Sequence, residues 1–288
     1  MSVISQEMDL REIAEEVRSA FSQGCLLHKL FSFAALARSP DPNKLESDAA
    51  GMIKRHPLSS LFGMSHLDDE GKVIHRTQGG GVGDAADRSA IDQQIAQAEG
   101  IRRKIVVGGT IEPARQIVVE RHFISDDLLG TVLQYSPFVP PDLVHTFARA
   151  YARFFQGDFV SATYILTPLL ENSLRHLLKS NGHEVTIFDD ATRTQQDRTI
   201  SSLFEQMRTE LDGILTPAIA SDLERLFLMK QGPHLRHAVA HGLLRDGDPY
   251  GTDAIYGCWL IFRLCLLPLF RHQDELRSMF IGSELCRM

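Results

Sequence analysis

Cysteine is scarce in this chain, with four residues among 288, Cys25, Cys258, Cys265 and Cys286, and none of them in a C-x-x-C pair. Neither a zinc ribbon nor a disulfide framework is suggested by such spacing, and reduced thiols in a cytoplasm fit best. Basic charge is also short. A formal charge of -7 gives no global attraction to nucleic acid or anionic membranes, so any contact with phosphate must be made by a local group of cations. A secretory leader is not expected either, because Glu7, Asp9, Glu15 and Glu16 sit in an amphipathic start with no basic region and no apolar core. The one long apolar run, Ala254 to Phe270, is short for a span and contains Arg263 and Pro268. A buried or interface helix, rather than a membrane helix, is expected there.

What is present is the balance of a globular protein, 43% hydrophobic and 23% charged residues, on a chain long enough for two ordinary cores. Helical spacing dominates. Leu10, Ile13, Val17 and Phe21 open a helix over residues 6–38 that is interrupted at Gly24, and Ser39-Pro40-Asp41-Pro42-Asn43 breaks it. Turn signals around Asp68-Asp69-Glu70-Gly71, followed by Lys72-Val73-Ile74, point to a small strand or irregular segment. The run Gly79-Gly80-Gly81-Val82-Gly83 lacks the Lys-Ser/Thr of a phosphate-binding loop and reads as a plain loop.

Helices are expected over 85–107 and 111–122, then in a short segment capped by Ser125 with Asp126 and Asp127 in its first turn. Ser136-Pro137-Phe138-Val139-Pro140-Pro141 is a stiff connector and the expected domain boundary, dividing residues 1–136 from 137–288. Beyond it, helices are expected to Gln156 and over 158–180, 199–213, 217–231, 233–245 and 252–271, joined by short links into an antiparallel bundle. The fold class is therefore mainly α, with a largely helical N-terminal region that carries the small strand or irregular segment.

Chemistry concentrates in Pro233 to Arg245. On a helical wheel Leu235, Ala238, Val239, Gly242 and Leu243 form one apolar face, while His237 and His241 lie four apart on the other side with His234 close by. Arg236 and His241 are about 140° apart at about 100° per residue. The two converge only if their side chains bend together or a second subunit completes the site. A guanidinium near an imidazole suits phosphodiester cleavage, one group holding the phosphate and the other moving a proton near neutral pH.

Other readings stay open at these residues. Arg236 can pin helices through a carboxylate such as Glu171, and His241 can cap carbonyls near a helix end. His237 and His241 have the one-turn spacing of two metal ligands, but Ala238 stands where a zinc protease has Glu, and no third ligand is evident, so no metal or cofactor is expected. Glu171 and Arg175 read either as an ordinary i,i+4 helix pair or as groups that orient the motif. Trp259, Phe262, Leu266 and Phe270 fit a core or dimer face better than a base-stacking platform.

The segment Arg236-His237-Ala238-Val239-Ala240-His241 resembles the hallmark of the HEPN superfamily, which is Arg, a polar residue, three further residues and His. His237 stands where Asn is commoner. Gly157 to Ala162, Leu166-Thr167-Pro168-Leu169-Leu170-Glu171-Asn172-Ser173-Leu174-Arg175 and Leu178 to Gly182 resemble the helix that precedes this motif in a bacterial family with a HEPN-like C-terminal half. The likeness extends upstream through Glu112-Pro113-Ala114-Arg115 and Ser136 to Pro140. The resemblance implies a helical homodimer with metal-independent endoribonuclease activity, in a defence or toxin setting and open to control by a protein partner. It gives Arg236 the scissile phosphate, His241 a general acid or base role in attack by the ribose 2′-hydroxyl, and His237 a share in proton transfer or phosphate positioning. Glu171 and Arg175 would support the motif or bind RNA.

Overall fold

The apolar run of uncertain setting is a core helix. In the computed structural model, which describes residues 8–55, 65–67, 73–76, 88–189 and 193–286, the chain is mainly α. Its elements are α1 (Arg11–Phe21), α2 (Leu26–Ala34), α3 (Pro42–Arg55), β1 (Ser65–Leu67), β2 (Val73–Arg76), α4 (Arg88–Val106), α5 (Glu112–Arg121), α6 (Asp126–Leu133), α7 (Val144–Phe155) and α8 (Phe159–Ser180). These are followed by β3 (Thr186–Asp189), β4 (Thr194–Asp197), α9 (Ile200–Gln206), α10 (Arg208–Leu215), α11 (Pro217–Phe227), α12 (Leu235–Ala240), α13 (Thr252–Leu266) and α14 (Gln273–Met279). Each pair of strands forms an antiparallel two-stranded ribbon. The glycine run at 79–83 lies outside the described residues.

The chain divides into two compact units, each assembled from separated stretches. The first takes Met1–Ala37, Arg103–Leu177 and Arg245–Met288, and the second takes Arg38–Arg102 and Leu178–Leu244. The boundary expected between 136 and 137 falls inside the first unit. Phe138 and Val139, at 1% and 3% exposure, are core side chains of the proline-rich connector, so this stretch is packed rather than a free hinge.

The first unit is built around α13. Twelve of its fifteen residues are buried, Ala254 to Phe262 without a break, which is why its sequence is apolar on every side. Trp259 Nε1 donates to the Phe33 carbonyl at 2.8 Å, and Arg263 Nη1 donates to the Ala34 carbonyl at 2.7 Å. Two side chains thus bond carbonyls at the end of α2, that of Phe33 also accepting from the Leu36 amide at 3.4 Å. Phe33, Tyr151 and Phe155 meet Phe262 edge-on or tilted at 5.0–5.7 Å.

Other local signals act as expected. Ser125 Oγ accepts from the Leu128 amide and caps α6. Between α4 and α5 the helix widens into a π turn over Val107–Ile111. There a side chain on Gly108 or Gly109 would come within 3.3 Å of Leu10 or Ile13, so the glycine pair lets α1 approach. Arg115, within the stretch that prompted the family resemblance, serves the fold. It pairs with Glu112 at 2.8 Å and donates to the Phe155 carbonyl at the end of α7.

In the second unit α9, α10 and α11 bury Leu203, Phe204, Leu211, Leu223 and Phe227. The single helix expected over 199–213 is interrupted at Met207, whose backbone leaves the helical region at φ -124°, ψ 31°. Arg102 bridges Glu99 at 2.8 Å and the fully buried Asp222 at 3.3 Å. Arg208 reaches both Asp212 and Glu224, which ties α10 to α11.

Candidate functional site

The candidate residues stand where the chain leaves α11. Its last turn buries Leu226 and Phe227, after which the backbone folds back so closely that a side chain at Gly232 would come within 2.3 Å of the Arg225 carbonyl oxygen. Only glycine fits there without displacement. Pro233 follows, then His234 in the left-handed region at φ 50°, ψ 40°, a conformation that costs a side-chain-bearing residue energy and persists where the surroundings impose it. The His234 carbonyl accepts from the amides of His237 and Ala238, which starts α12.

α12 is much shorter than the expected helix over 233–245. Gly242 adopts φ +64°, the Leu243 amide returns to the Ala238 carbonyl at 2.8 Å, and the Gly242 amide to that of Val239 at 3.3 Å. This is a Schellman cap, with His241 as C-cap and Gly242 just beyond it. The apolar face drawn on the wheel is cut by it. Leu235 is buried at 4% exposure, Ala238 and Val239 are half-buried, and Leu243 is 60% exposed.

The three histidine rings pack in series. The His234 and His237 rings stack with centroids 4.6 Å apart and planes within 4°, and the His237 and His241 rings lie 4.4 Å apart at 48°. Burial holds His234 below its ordinary value, reinforced by the charges of His237, Lys230 and Arg236. His237 is lowered as well, by burial first and then by His241, Arg236 and Lys230. The guanidinium of Arg236 therefore acts on His234 and His237, its near neighbours, and the site gathers two permanent cations beside three imidazoles in an otherwise acidic chain. Lys230 is the member that sequence reasoning missed. It belongs to the turn after α11, where no helical spacing relates it to the histidines.

Glu171 and Arg175 lie on α8 in the first unit, whereas the motif lies in the second. Arg175 Nη1 donates to Glu171 Oε1 at 2.8 Å, as their i,i+4 spacing indicates. Among the described residues, no three His, Cys, Asp or Glu side chains are placed to share a metal ion. In the first unit a cleft of about 280 Å³ is lined by Arg121, His122, Phe123 and Gln156 among others, all outside the motif. Compared with protein-family models, with curated proteins and with solved structures, the chain matches none.

Proposed function

We propose that the chain is a metal-independent endoribonuclease of the HEPN type, acting as a cytoplasmic homodimer in a defence or toxin system. The observation that carries this reading is the packing of His237 against His241 at 4.4 Å, with Arg236 close enough to depress His237. Two imidazoles side by side supply what 2′-hydroxyl attack on the neighbouring phosphorus requires, a group to take the hydroxyl proton and a group to protonate the departing 5′-oxygen. Burial and nearby cations favour neutral His237, which suits it to accept the first proton; His241 then donates the second. Arg236 and Lys230 hold the phosphate and oppose the charge that develops on its oxygens. A cyclic 2′,3′-phosphate is the product.

The test is cleavage of single-stranded and structured RNA in the presence of chelator, with analysis of product ends. Arg236→Ala and His241→Ala are each expected to lower the rate by at least about a hundredfold, the lower end of what a positioned proton-transfer group contributes. Full activity in both variants, or activity abolished by chelator, overturns the assignment.

A second reading rests on Leu243, 60% exposed directly after the motif. Here the same segment is the contact face of a non-catalytic dimer that binds RNA, a nucleotide or a regulatory protein. A panel of RNAs left uncut by protein that elutes as a dimer with bound ligand favours it. In both readings a second copy over Leu243 places two motifs near each other, so Leu243→Asp is expected to yield monomers.

A further inference from the structure

We infer that His234 is a positioning residue, its ring holding the plane of the His237 imidazole that accepts the 2′-hydroxyl proton; the inference rests on the ribonuclease reading of this segment. The stack itself carries it. The His234 and His237 rings lie parallel within 4° at 4.6 Å, and His241 closes the series on His237 at 4.4 Å. Among the described residues no hydrogen bond or ion pair reaches the His234 or the His237 ring. A histidine that moves protons ordinarily has its second nitrogen bonded to a carboxylate or carbonyl, which fixes its tautomer and orientation. His237 is only half-buried, and the terminal torsion of a histidine side chain has broad wells, so without such a bond the ring is free to turn. Contact between ring faces takes over the orienting task.

The backbone imposes the place of His234. An N-cap residue ordinarily has extended backbone, whereas the Gly232-Pro233 turn delivers His234 at φ 50°, ψ 40°. Histidine, Asn and Asp enter this left-handed region more readily than other residues with a side chain, so the backbone alone would accept Asn. The stack would not. His234 also precedes His237 by three residues, the spacing at which side chains of a first helical turn meet. Burial first, then the charges of His237, Lys230 and Arg236, keep His234 below its ordinary value. The ring is thus neutral when His237 takes up its proton, and it braces the base without setting a charge against it.

The test compares His234→Asn, which suits the backbone and lacks the ring, with His234→Phe, which keeps a ring that cannot titrate. RNA cleavage is measured in chelator, and the imidazole resonances of His237 and His241 are followed by NMR through a pH titration. His234→Asn is expected to lower kcat about twofold to tenfold, the rate equivalent of one aromatic pair, while KM stays within about twofold of wild type. The His237 resonances should shift as the neighbouring ring current is lost. The His237 titration should also rise toward its ordinary value, because burial depresses it first, ahead of His241, Arg236 and Lys230. His234→Phe should restore both the rate and the titration.

Unchanged His237 resonances and titration in His234→Asn overturn the inference. So does a wild-type kcat in that variant, a change confined to KM, or a lost rate that folded His234→Phe does not recover. Where His234→Asn is unstable, His234→Gly takes its place, since glycine carries the least strain at this φ. Wild-type protein that leaves RNA uncut overturns the ribonuclease reading and, with it, any part of His234 in catalysis. The NMR arm needs no RNA and decides separately whether His234 holds the ring.

Discussion

Helices α12 and α13 are near neighbours in the sequence and opposites in construction. α13 buries twelve of fifteen residues and hands two side-chain donors to the end of α2. α12 has six residues and buries only Leu235; it carries Arg236 and His237, with His234 and His241 at its two ends and the three imidazole rings packed in series. The contrast separates two uses of sequence. In α13 nearly every residue is committed to packing, so substitution there acts on stability. In α12 the fold constrains the turn before the helix and the cap after it, and most of the side chains between stay outside the core.

The contrast is broken most directly at Trp259. Trp259→Ala empties a fully buried site and removes the indole donor to the Phe33 carbonyl, so a loss of about 3–5 kcal/mol is expected in denaturant unfolding. A loss below about 1 kcal/mol would mean that α13 is not the centre of its unit. Next comes Gly232→Ala, which drives a methyl into the Arg225 carbonyl and is expected to cost about 1–3 kcal/mol. It should also abolish RNA cleavage by displacing His234 to His241, although no catalytic group is changed. A fully active, fully stable Gly232→Ala protein would show that the turn does not position the motif.

Acidification has a smaller effect. His122, His234 and His237 are all held below 6.5 by burial first and neighbouring positive charge second. Between those depressed values and 6.5 the unfolded chain binds more protons than the folded one. The stability contributed by these neutral rings is therefore complete above about pH 6.5 and is lost as pH falls from there toward the folded values. Unfolding midpoints measured from about pH 8 down to about 5 check this, and a midpoint that rises on acidification in the upper part of that range contradicts it. The smallest effect is expected for His241→Ala. The residue is exposed, so stability should stay within about 0.5 kcal/mol of wild type while cleavage disappears.

How much of this is legible in the sequence depends on whether the governing interaction is local. The Ser125 cap, the break at Gly24 and the Glu171–Arg175 pair are i,i+3 or i,i+4 matters and can be read directly. So can the buried setting of the apolar run, where 72% of its most apolar window lies inside the protein. Periodicity overstates the length of α12 because it runs on through Gly242, although a glycine there is itself a stop signal. The β3–β4 ribbon has no alternating pattern to announce it, and Ile187 and Phe188 are both largely exposed. The motif is visible as a hexamer, but its neighbour Lys230 arrives by a tertiary turn.

The interleaved make-up of the two units bears on synthesis. The chain passes from one unit to the other after residues 37, 102, 177 and 244, and the passages after 102 and 177 fall within α4 and α8. Residues 1–37 and 103–177 leave the ribosome before α13, the helix around which they pack. During translation α2 therefore waits without the Trp259 and Arg263 donors to its last carbonyls, and Phe33 without Phe262, while every residue of the second unit is already outside. The unit that carries the histidines can close first, and the one that carries the aromatic core must close last. A nascent chain stalled before residue 245 would present chaperones with the aromatic half of the protein and no helix to cover it.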